Sequence, residues 1–237
     1  MTKTNQKTTM KIAIMGAMPE EITPILSKLD SYETRKYANN TYYLGHYHGH
    51  ELIIAYSKIG KVFSTLTATV MIEHFGAKAL LFSGVAGGGA TAVQVGDIVV
   101  ATQTVQHDID ITAFGRQKGE IPGSKVFIET CQNLTSKLKE VANSYGITLK
   151  EGVIATGDQF IHSKEAKDMI VQHFNAQAIE MEGASVNLVC HELNVPCVIL
   201  RAISDTADGQ AVDDFPQFVE EAAKQSATLI LSLVKLL

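Results

Sequence analysis

The stretch AIEMEGASVNLVCHELNVPCVILRAISD, residues 178–205, decides the fold of this chain. Ile179 and Met181 alternate with Glu180 and Glu182, and this period of two predicts a short strand. Beyond Met181 the apolar positions recur with helical spacing. The stretch therefore predicts a strand that passes into a helix at Glu182.

The same stretch predicts a second strand with a ligand site at its end. Pro196 stops the helix because proline cannot continue one, and residues 197–200 are a short apolar run typical of a buried strand. Arg201 and Asp205 follow. In open α/β sheets small ligands bind beyond the carboxyl ends of strands, so Asp205 is a candidate site residue. An aspartate after a strand also often caps the next helix, and the residues by themselves leave both interpretations open.

The composition indicates a single α/β domain that binds a small ligand. The 237 residues are 46% hydrophobic, enough for a sizeable core, and residues 10–237 are predicted to form that domain. The first nine residues are polar and predict a flexible extension without an export signal. The net charge of −5, with 20 basic residues dispersed among 25 acidic ones, argues against a nucleic-acid partner.

The cysteines and the longest apolar tract indicate where the protein resides. Cys131, Cys190 and Cys197 are odd in number and lack CxxC spacing, which predicts free thiols in a reducing compartment, the cytoplasm. Residues 79–101 approach the length of a membrane span, but glycines and Asp97 interrupt them. Two strands around a glycine turn explain this tract better, so no membrane partner is predicted.

The amino-terminal end of the domain has the pattern of a strand, a tight turn and a helix. Residues 11–15 are mostly apolar, and Pro19 suits the first turn of a helix. Glu20 and Glu21 fall in that turn, where the helix macrodipole favours anions, so both have a simple structural interpretation. The turn lacks GxGxxG spacing, which argues against a nicotinamide cofactor.

Three further loops follow predicted strands, at residues 57–61, 83–89 and 156–160. Consecutive glycines in the second loop let backbone amides approach a ligand closely, because no Cβ intervenes. Phe160 in the third loop can stack on a planar base. Each loop alone is weak evidence for a site.

Histidines raise the question of a metal site. His46, His48 and His50 alternate along a predicted hairpin, but a turn at Gly49 breaks the geometry that would put them on one face. We therefore predict surface histidines at the hairpin tip and no metal. The strand at 97–105 is followed by His107, Asp108 and Asp110. We interpret them in the same way, as loop residues near a possible site.

Six motifs together make a resemblance specific: GAMPEEI (16–22), SKIGKV (57–62), SGVAGG (83–88), TGDQF (156–160), EMEG (180–183) and RAISDTAD (201–208). In this order and spacing the chain closely resembles 5′-methylthioadenosine/S-adenosylhomocysteine nucleosidases of the nucleoside phosphorylase superfamily. The resemblance implies a three-layer α/β/α domain with a central mixed β-sheet, and a homodimer. It also implies hydrolysis of an N-glycosidic bond that releases adenine without metal or organic cofactor.

The resemblance gives five residues a chemical task. Adenine is a poor leaving group as an anion, so Asp205 would protonate its N7, with Ser204 as the neighbour that orients this acid. Glu21 would activate the water that attacks the oxocarbenium-like ribose from the opposite face. Glu182 would accept hydrogen bonds from the ribose hydroxyls. Arg201 would help to hold the water and the carboxylates.

The resemblance also implies which residues surround the substrate. Phe160 would stack against adenine, Ile161 would contact the base edge through its backbone, and Met181 would pack beneath the ribose. The wall around the 5′-alkylthio group would comprise Met18, Ile59 and Phe215, joined from the neighbouring subunit by Phe114 and Pro122. Many relatives have a serine where this chain has Val85, whose side chain cannot bind the attacking water, so water positioning would rest more on Glu21 and Arg201.

Two other functions remain open from the sequence. A phosphorylase of the same superfamily would need several cationic contacts to phosphate, and among the matched loops only Arg201 is an obvious candidate. A non-catalytic adenosine-binding module is the second alternative, against which the three acids matched to catalytic roles argue. The motifs also do not choose among methylthioadenosine, S-adenosylhomocysteine, 5′-deoxyadenosine and 6-amino-6-deoxyfutalosine, an intermediate of menaquinone biosynthesis.

Overall fold

The computed structural model describes residues 9–205 and 211–237, and the side chains of the second segment from residue 218 onward. The strands of the described residues are β1 (Lys11–Gly16), β2 (Tyr32–Tyr37), β3 (Asn40–Tyr47), β4 (His50–Tyr56), β5 (Ala79–Gly88), β6 (Ile98–Gln106), β7 (Ile128–Glu129), β8 (Lys150–Thr156), β9 (Ala176–Glu180) and β10 (Cys197–Asp205). The helices are α1 (Pro19–Leu26), α2 (Lys61–Thr69), α3 (Gln132–Ser144), α4 (Lys164–Phe174), α5 (Gly183–Glu192) and α6 (Ala211–Lys235). A π-helical turn, Val70–His74, continues α2.

The strand–helix–strand prediction over residues 178–205 is confirmed, with one change of length. β9 ends at Glu180 and α5 begins at Gly183, so the chain changes element at Glu182 as expected. β10 is longer than the apolar run at 197–200, because it continues pairing with β5 through Asp205. Arg201 and Asp205 therefore lie within a strand.

Two further expectations from the sequence are wrong in detail. The glycine-rich motif at 83–88 lies within β5 and pairs with β10 and β9, so it is strand and not loop. The hairpin of β3 and β4 is present, but His50 is only 1% exposed, and its Nδ1 accepts the Met10 N–H at 3.3 Å. A histidine that follows a hairpin turn can be buried when its strand lies inside the sheet, and β4 lies between β3 and β1.

The sheet is mixed and partly closes on itself. β1 pairs in parallel with β4 and β5, and β5 pairs in parallel with β10. β10 also pairs antiparallel with β6, β6 and β8 are parallel, β8 and β9 are parallel, and β9 returns antiparallel to β5. These pairings place β5, β10, β6, β8 and β9 in a closed ring, with β1, β4, β3 and β2 extending from β5.

Helices cover both faces of this sheet, which confirms the three-layer α/β/α fold. Ile12 and Ile14 of β1 belong to a core shared with α1, α3 and α6, whereas Ala13 and Met15 belong to a core shared with α2 and α5. The alternation follows from the period of two in a strand. α4 packs over β8 and β9 through Ile170. Among the described helices, none combines the length and apolar character needed to cross a membrane.

Candidate active site

Glu21 lies in the first turn of α1, and its carboxylate folds back over the end of β1. Oε2 accepts the N–H groups of Ala17 at 2.5 Å and Met18 at 3.0 Å, and Oε1 accepts the Val85 N–H of β5 at 3.0 Å. The residue is 3% exposed. The helix-terminus interpretation is therefore physically correct for Glu21, but the bond to Val85 also fixes the carboxylate across the sheet.

Gly84 allows this carboxylate to lie directly against β5. A Cβ at Gly84 would stand 2.7 Å from Oε1 of Glu21, closer than a Cβ approaches any atom to which it is not bonded. In the β5–β10 register Gly84 is the partner of Arg201. The glycine thus leaves room for an acid beside the strand that carries the arginine.

The direct partner of Arg201 is Glu180, which sequence reasoning missed. The guanidinium is 1% exposed and donates to Oε2 of Glu180 from Nε at 3.2 Å and from Nη2 at 2.7 Å, while it lies over the Phe82 ring. In the sequence Glu180 differs from its surroundings only as an acid next to apolar neighbours at a predicted strand end. Such alternation is typical of a strand with one polar face, so the sequence carries no signal that Glu180 is buried beside a cation.

Glu180 also satisfies the amino terminus of α5. Its Oε2 accepts the N–H groups of Glu182 at 3.1 Å and Gly183 at 2.7 Å. The Thr156 hydroxyl donates to Oε1 of Glu180 and accepts the Ala184 N–H at 2.7 Å. Helix-terminal amides need such partners, and here they have them without the side chain of Glu182. Glu182 is therefore available for another task.

The Glu182 carboxylate points to the loop after β4. Its Oε1 accepts the Gly60 N–H at 2.7 Å, and the residue is 6% exposed. Burial, followed by the negative charge of Glu180, raises the pKa of Glu182 to about 8 against the opposing effects of Gly60 and Arg201. Burial also raises the pKa of Glu21, although Arg201 and the backbone amides act in the other direction. Both carboxyl groups therefore bind protons more tightly than ordinary glutamates.

The raised pKa of Glu182 predicts a stability that falls with pH. The folded state binds this proton more tightly than the unfolded state, so the contribution is fully present below about pH 4.5 and is lost as pH rises through about 8. We expect Glu182→Gln to remove on the order of 2 kcal/mol of this pH-dependent loss. Thermal unfolding of both proteins between about pH 5 and pH 8 measures it, with the exposed Glu165→Gln as control. Parallel curves for wild type and Glu182→Gln would contradict the assignment.

Asp205 is the last residue of β10 and is 2% exposed. The Ser204 hydroxyl donates to its Oδ2 at 2.9 Å, so the neighbour expected to orient this acid does contact it. Asp205 pairs with Gly87 of β5, whereas Glu21 binds Val85 of the same strand. Two residues of a strand span about 6.6 Å, so β5 brings the two predicted catalytic acids to neighbouring positions.

A small cavity of about 30 Å³ adjoins Asp205. Phe160, Ile161 and Met181, the residues expected to contact adenine and ribose, line it together with Asp205 and Gly87. Phe160 is 46% exposed, so part of its side chain is accessible to a ligand. The structure therefore brings the predicted base-binding residues to the predicted acid.

Met18 and Ile59, predicted to surround the 5′ group, come from loops that are bonded together. The Ser57 N–H donates to the Gly16 carbonyl at 2.8 Å, and the Lys58 N–H donates to the Ala17 carbonyl at 2.9 Å. Ile59 is 54% exposed, and Met18 is half-buried beside Glu21. These bonds place the two loops beside the first turn of α1, which carries Glu21.

The other three residues predicted to surround the 5′-alkylthio group are not among the described residues of the site. Phe114 is 84% exposed on a 3₁₀ turn, Thr112–Phe114, and Pro122 is exposed on the segment that follows. Neither is among the described residues that line the cavity next to Asp205. The side chain of Phe215 lies outside the described residues.

The described residues contain no group of three histidine, cysteine or acidic side chains that could hold a metal ion. Asp108 instead accepts a hydrogen bond from Lys61 Nζ at 2.7 Å, and Asp110 accepts the Thr112 N–H at 3.0 Å. Both aspartates therefore have structural partners.

Comparison with known proteins gives close relatives over nearly the whole chain. An aminodeoxyfutalosine nucleosidase of Campylobacter jejuni is 54% identical over 94% of this chain and 98% of its own. A 5′-methylthioadenosine/S-adenosylhomocysteine nucleosidase of Oceanobacillus iheyensis is 38% identical over 95% of this chain and 99% of its own. These relatives confirm the resemblance inferred from the six motifs.

A solved structure extends the likeness to the fold. It is an aspartate-to-asparagine variant of the Helicobacter pylori 5′-methylthioadenosine/S-adenosylhomocysteine nucleosidase with 5′-methylthioadenosine in its active site. It is 51% identical, superposes with a TM-score of 0.95, and covers 97% of this chain and 100% of its own. The family model described as the phosphorylase superfamily matches residues 11–235. From its sequence, its fold and these relatives, the chain belongs to the phosphorylase superfamily.

Proposed function

We propose that this protein is a nucleosidase that hydrolyses the N-glycosidic bond of 5′-methylthioadenosine and S-adenosylhomocysteine and releases adenine. The single observation that carries the proposal is the group of buried acids beside β5. Glu21 accepts the N–H of Val85, and Asp205 pairs with Gly87, two residues farther along β5. Glu182 lies at the amino terminus of α5. The relatives named aminodeoxyfutalosine nucleosidase and 5′-methylthioadenosine/S-adenosylhomocysteine nucleosidase support the same class of reaction.

Asp205 supplies the proton that makes adenine a leaving group. Its carboxyl group adjoins the cavity lined by Phe160 and Ile161, where a purine stacked on Phe160 places N7 near the acid. The Ser204 hydroxyl holds Oδ2 in place. Protonation at N7 draws electrons from the glycosidic bond, so positive charge develops on the ribose as the bond breaks.

Glu21 receives the proton of the attacking water, and Glu182 stabilises the sugar. Three backbone amides, of Ala17, Met18 and Val85, hold the Glu21 carboxyl group on β5, two residues from the position that pairs with Asp205. Val85 contributes through its N–H and not its side chain, so the missing hydroxyl at this position does not leave Glu21 unsupported. Glu182 accepts the ribose hydroxyls, and these bonds strengthen as the sugar becomes positive.

Water, and not phosphate, is the nucleophile that this electrostatic arrangement favours. Three carboxyl groups, of Glu21, Glu180 and Glu182, surround one guanidinium, and Arg201 is already paired with Glu180. Phosphate binding requires uncompensated cationic donors, and a phosphate beside Glu21 would be repelled. A phosphorylase is therefore the weaker alternative.

Product analysis tests the proposal against both alternatives. Purified protein with 5′-methylthioadenosine is expected to release adenine and 5-methylthioribose at the same rate with and without added phosphate. A phosphate-dependent rate with a sugar 1-phosphate product would show a phosphorylase. Binding of the substrate without any adenine release would show a non-catalytic binding module.

We propose 6-amino-6-deoxyfutalosine as a further substrate of the same site. The observation that favours it is the 52–54% identity to three relatives named aminodeoxyfutalosine nucleosidase, which is as high as the 51% identity to the Helicobacter pylori methylthioadenosine nucleosidase. The adenine and ribose that the acids contact are common to both substrates. A panel that includes S-adenosylhomocysteine and 5′-deoxyadenosine, followed by adenine release, measures the order of kcat/KM.

We propose that the protein acts as a homodimer in the cytoplasm. An apolar surface supports the dimer: Val62, Phe63 and Leu66 of α2 are 77%, 46% and 44% exposed, and Ile59 just before them is 54% exposed. Such a patch marks an interaction surface, and it adjoins the Glu182 loop. In a dimer this surface would be covered, and Phe114 and Pro122 of the partner would complete the 5′ wall. The three free cysteines support a reducing compartment.

Leu66→Glu is expected to convert the dimer to a monomer and to reduce adenine release, because it buries a charge in the apolar surface of α2. Light scattering should give twice the chain mass of 25.7 kDa for wild type and the single mass for the variant. The control is Tyr145→Glu, at a 51% exposed position in the opposite helix layer. A monomeric wild-type protein with full activity would rule out the dimer proposal.

A further inference from the structure

We propose that Lys61, Asp108 and Asp158 are positioning residues that hold the ribose-binding and base-binding loops in register. The three form a polar cluster, here called the loop clasp, at the meeting point of the β4–α2 loop, the end of β6 and the loop after β8. None of them belongs to the acids assigned to the reaction. The inference deepens the proposed function and rests on it.

The loop clasp is built from four contacts. Lys61 Nζ donates to Asp108 Oδ1 at 2.7 Å, and the Asp158 N–H donates to Asp108 Oδ2 at 2.9 Å. The Lys61 N–H donates to Asp158 Oδ1 at 2.8 Å, and Lys61 Nζ lies 4.0 Å from Asp158 Oδ2. Burial would raise the pKa of Asp108, but the bonds from Lys61 and Asp158 lower it below its ordinary value, so this carboxylate is ionised near neutral pH.

On the ribose side, the clasp fixes the donor to Glu182. Gly60 directly precedes Lys61, and its N–H donates to Glu182 Oε1 at 2.7 Å. Gly60 has φ +98°, a conformation open to glycine, and a Cβ there would stand 3.0 Å from Asp158 Oδ1. Asp158 therefore lies beside Gly60, whose N–H binds Glu182, a residue 122 positions farther along the chain.

On the base side, the clasp fixes the loop that carries the aromatic ring. Asp158 lies two residues before Phe160, in a loop without strand or helix between β8 and α4. One residue earlier, Gly157 packs against His107, whose Nε2 would stand 2.4 Å from a Cβ at Gly157. The loop is thus held at Gly157 and at Asp158, and these contacts fix the position of Phe160.

The clasp accounts for polar residues that the reaction itself leaves without a task. A surface ion pair alone contributes little to stability, and the Lys61 and Asp108 side chains are 18% and 19% exposed. Their effect is expected on geometry, because a displacement of about 1 Å at a reacting group can lower a rate about a hundredfold. We expect the largest loss of rate for a substrate that carries both ribose hydroxyls, because Glu182 binds them.

Asp158→Ala is the test variant, measured against Asp158→Asn and Asp168→Ala. Asparagine keeps an oxygen for the Lys61 N–H, so it should restore most of the loss. Asp168 makes an i,i+4 pair with Lys164 on the exposed face of α4 and serves as a matched ion-pair control. We expect Asp158→Ala to lower kcat/KM for 5′-methylthioadenosine about tenfold or more. The decrease should be clearly smaller for the 2′-deoxy analogue, which lacks one hydroxyl for Glu182.

Equal decreases for the two substrates, or a decrease of less than twofold, would overturn the inference. Amide hydrogen exchange supplies a readout independent of turnover: Asp158→Ala should exchange faster at residues 57–62 and 156–160 and unchanged at 164–174. Unaltered exchange in both loops would also overturn it. Wild-type protein that releases no adenine would instead refute the proposed function, while the exchange result would still decide whether the clasp holds the loops.

Discussion

Asp205→Asn is expected to abolish adenine release while the substrate still binds. An amide of the same shape cannot give up a proton at the moment the glycosidic bond breaks, so adenine would have to leave as an anion. The loss in kcat should be about a thousandfold, in the range that general acids supply. Adenine release followed in single-turnover experiments measures it, and calorimetry with 5′-methylthioadenosine measures binding.

The location of Asp205 makes this variant informative. The residue is buried at the end of β10 and receives the Ser204 hydroxyl, and asparagine can present its oxygen to the same donor. The fold should therefore be retained, which thermal unfolding checks. Asp30→Asn, at an exposed position after α1, is the matched control and should turn over normally. A rate within tenfold of wild type for Asp205→Asn would remove Asp205 as the acid.

Glu21→Gln is the second large effect, with an expected loss of about a thousandfold in kcat. Glutamine cannot accept the proton of the attacking water. Both Glu21 oxygens also accept backbone N–H groups, of Ala17, Met18 and Val85, so the glutamine NH₂ must face at least one donor. Some local rearrangement is therefore expected, and a variant that leaves the acid in place is needed beside it.

Gly84→Ala is that variant. Its Cβ would stand 2.7 Å from Glu21 Oε1, the end of a flexible side chain, so the carboxylate should move while the sheet is retained. We expect adenine release to fall steeply although Glu21 is still present. In the Glu21→Gln background the same substitution should add little, because the group it displaces is already inactive. Additive losses, or Gly84→Ala at the wild-type rate, would argue against Glu21 as the base.

Local sequence patterns determined the framework of the site. The period of two at residues 179–182 and the helical spacing that follows predict β9 and α5, and Pro196 predicts the start of β10 nearby. Pro19 predicts the start of α1, which places Glu21 in a first turn. These features depend on neighbours along the chain, so a single sequence is enough to find them. The six motifs add the family and, through it, the catalytic roles proposed for the acids.

Only the tertiary structure decided which groups meet. The Arg201–Glu180 pair, the Gly60–Glu182 bond and the close approach of Glu21 to Gly84 join segments far apart in the sequence. The Arg201–Glu180 pair depends on the pairing of β5 with β10 and with β9, and hydrophobic periodicity fixes the face on which a side chain lies but not which distant strand pairs with it. The expectation that His50 lies on the surface is wrong for the same reason, because the burial of β4 depends on the strands that lie on either side of it. The sequence by itself thus determined the elements and the residue types at their ends, whereas packing decided the partners, the burial and the shifted pKa values that those partners produce.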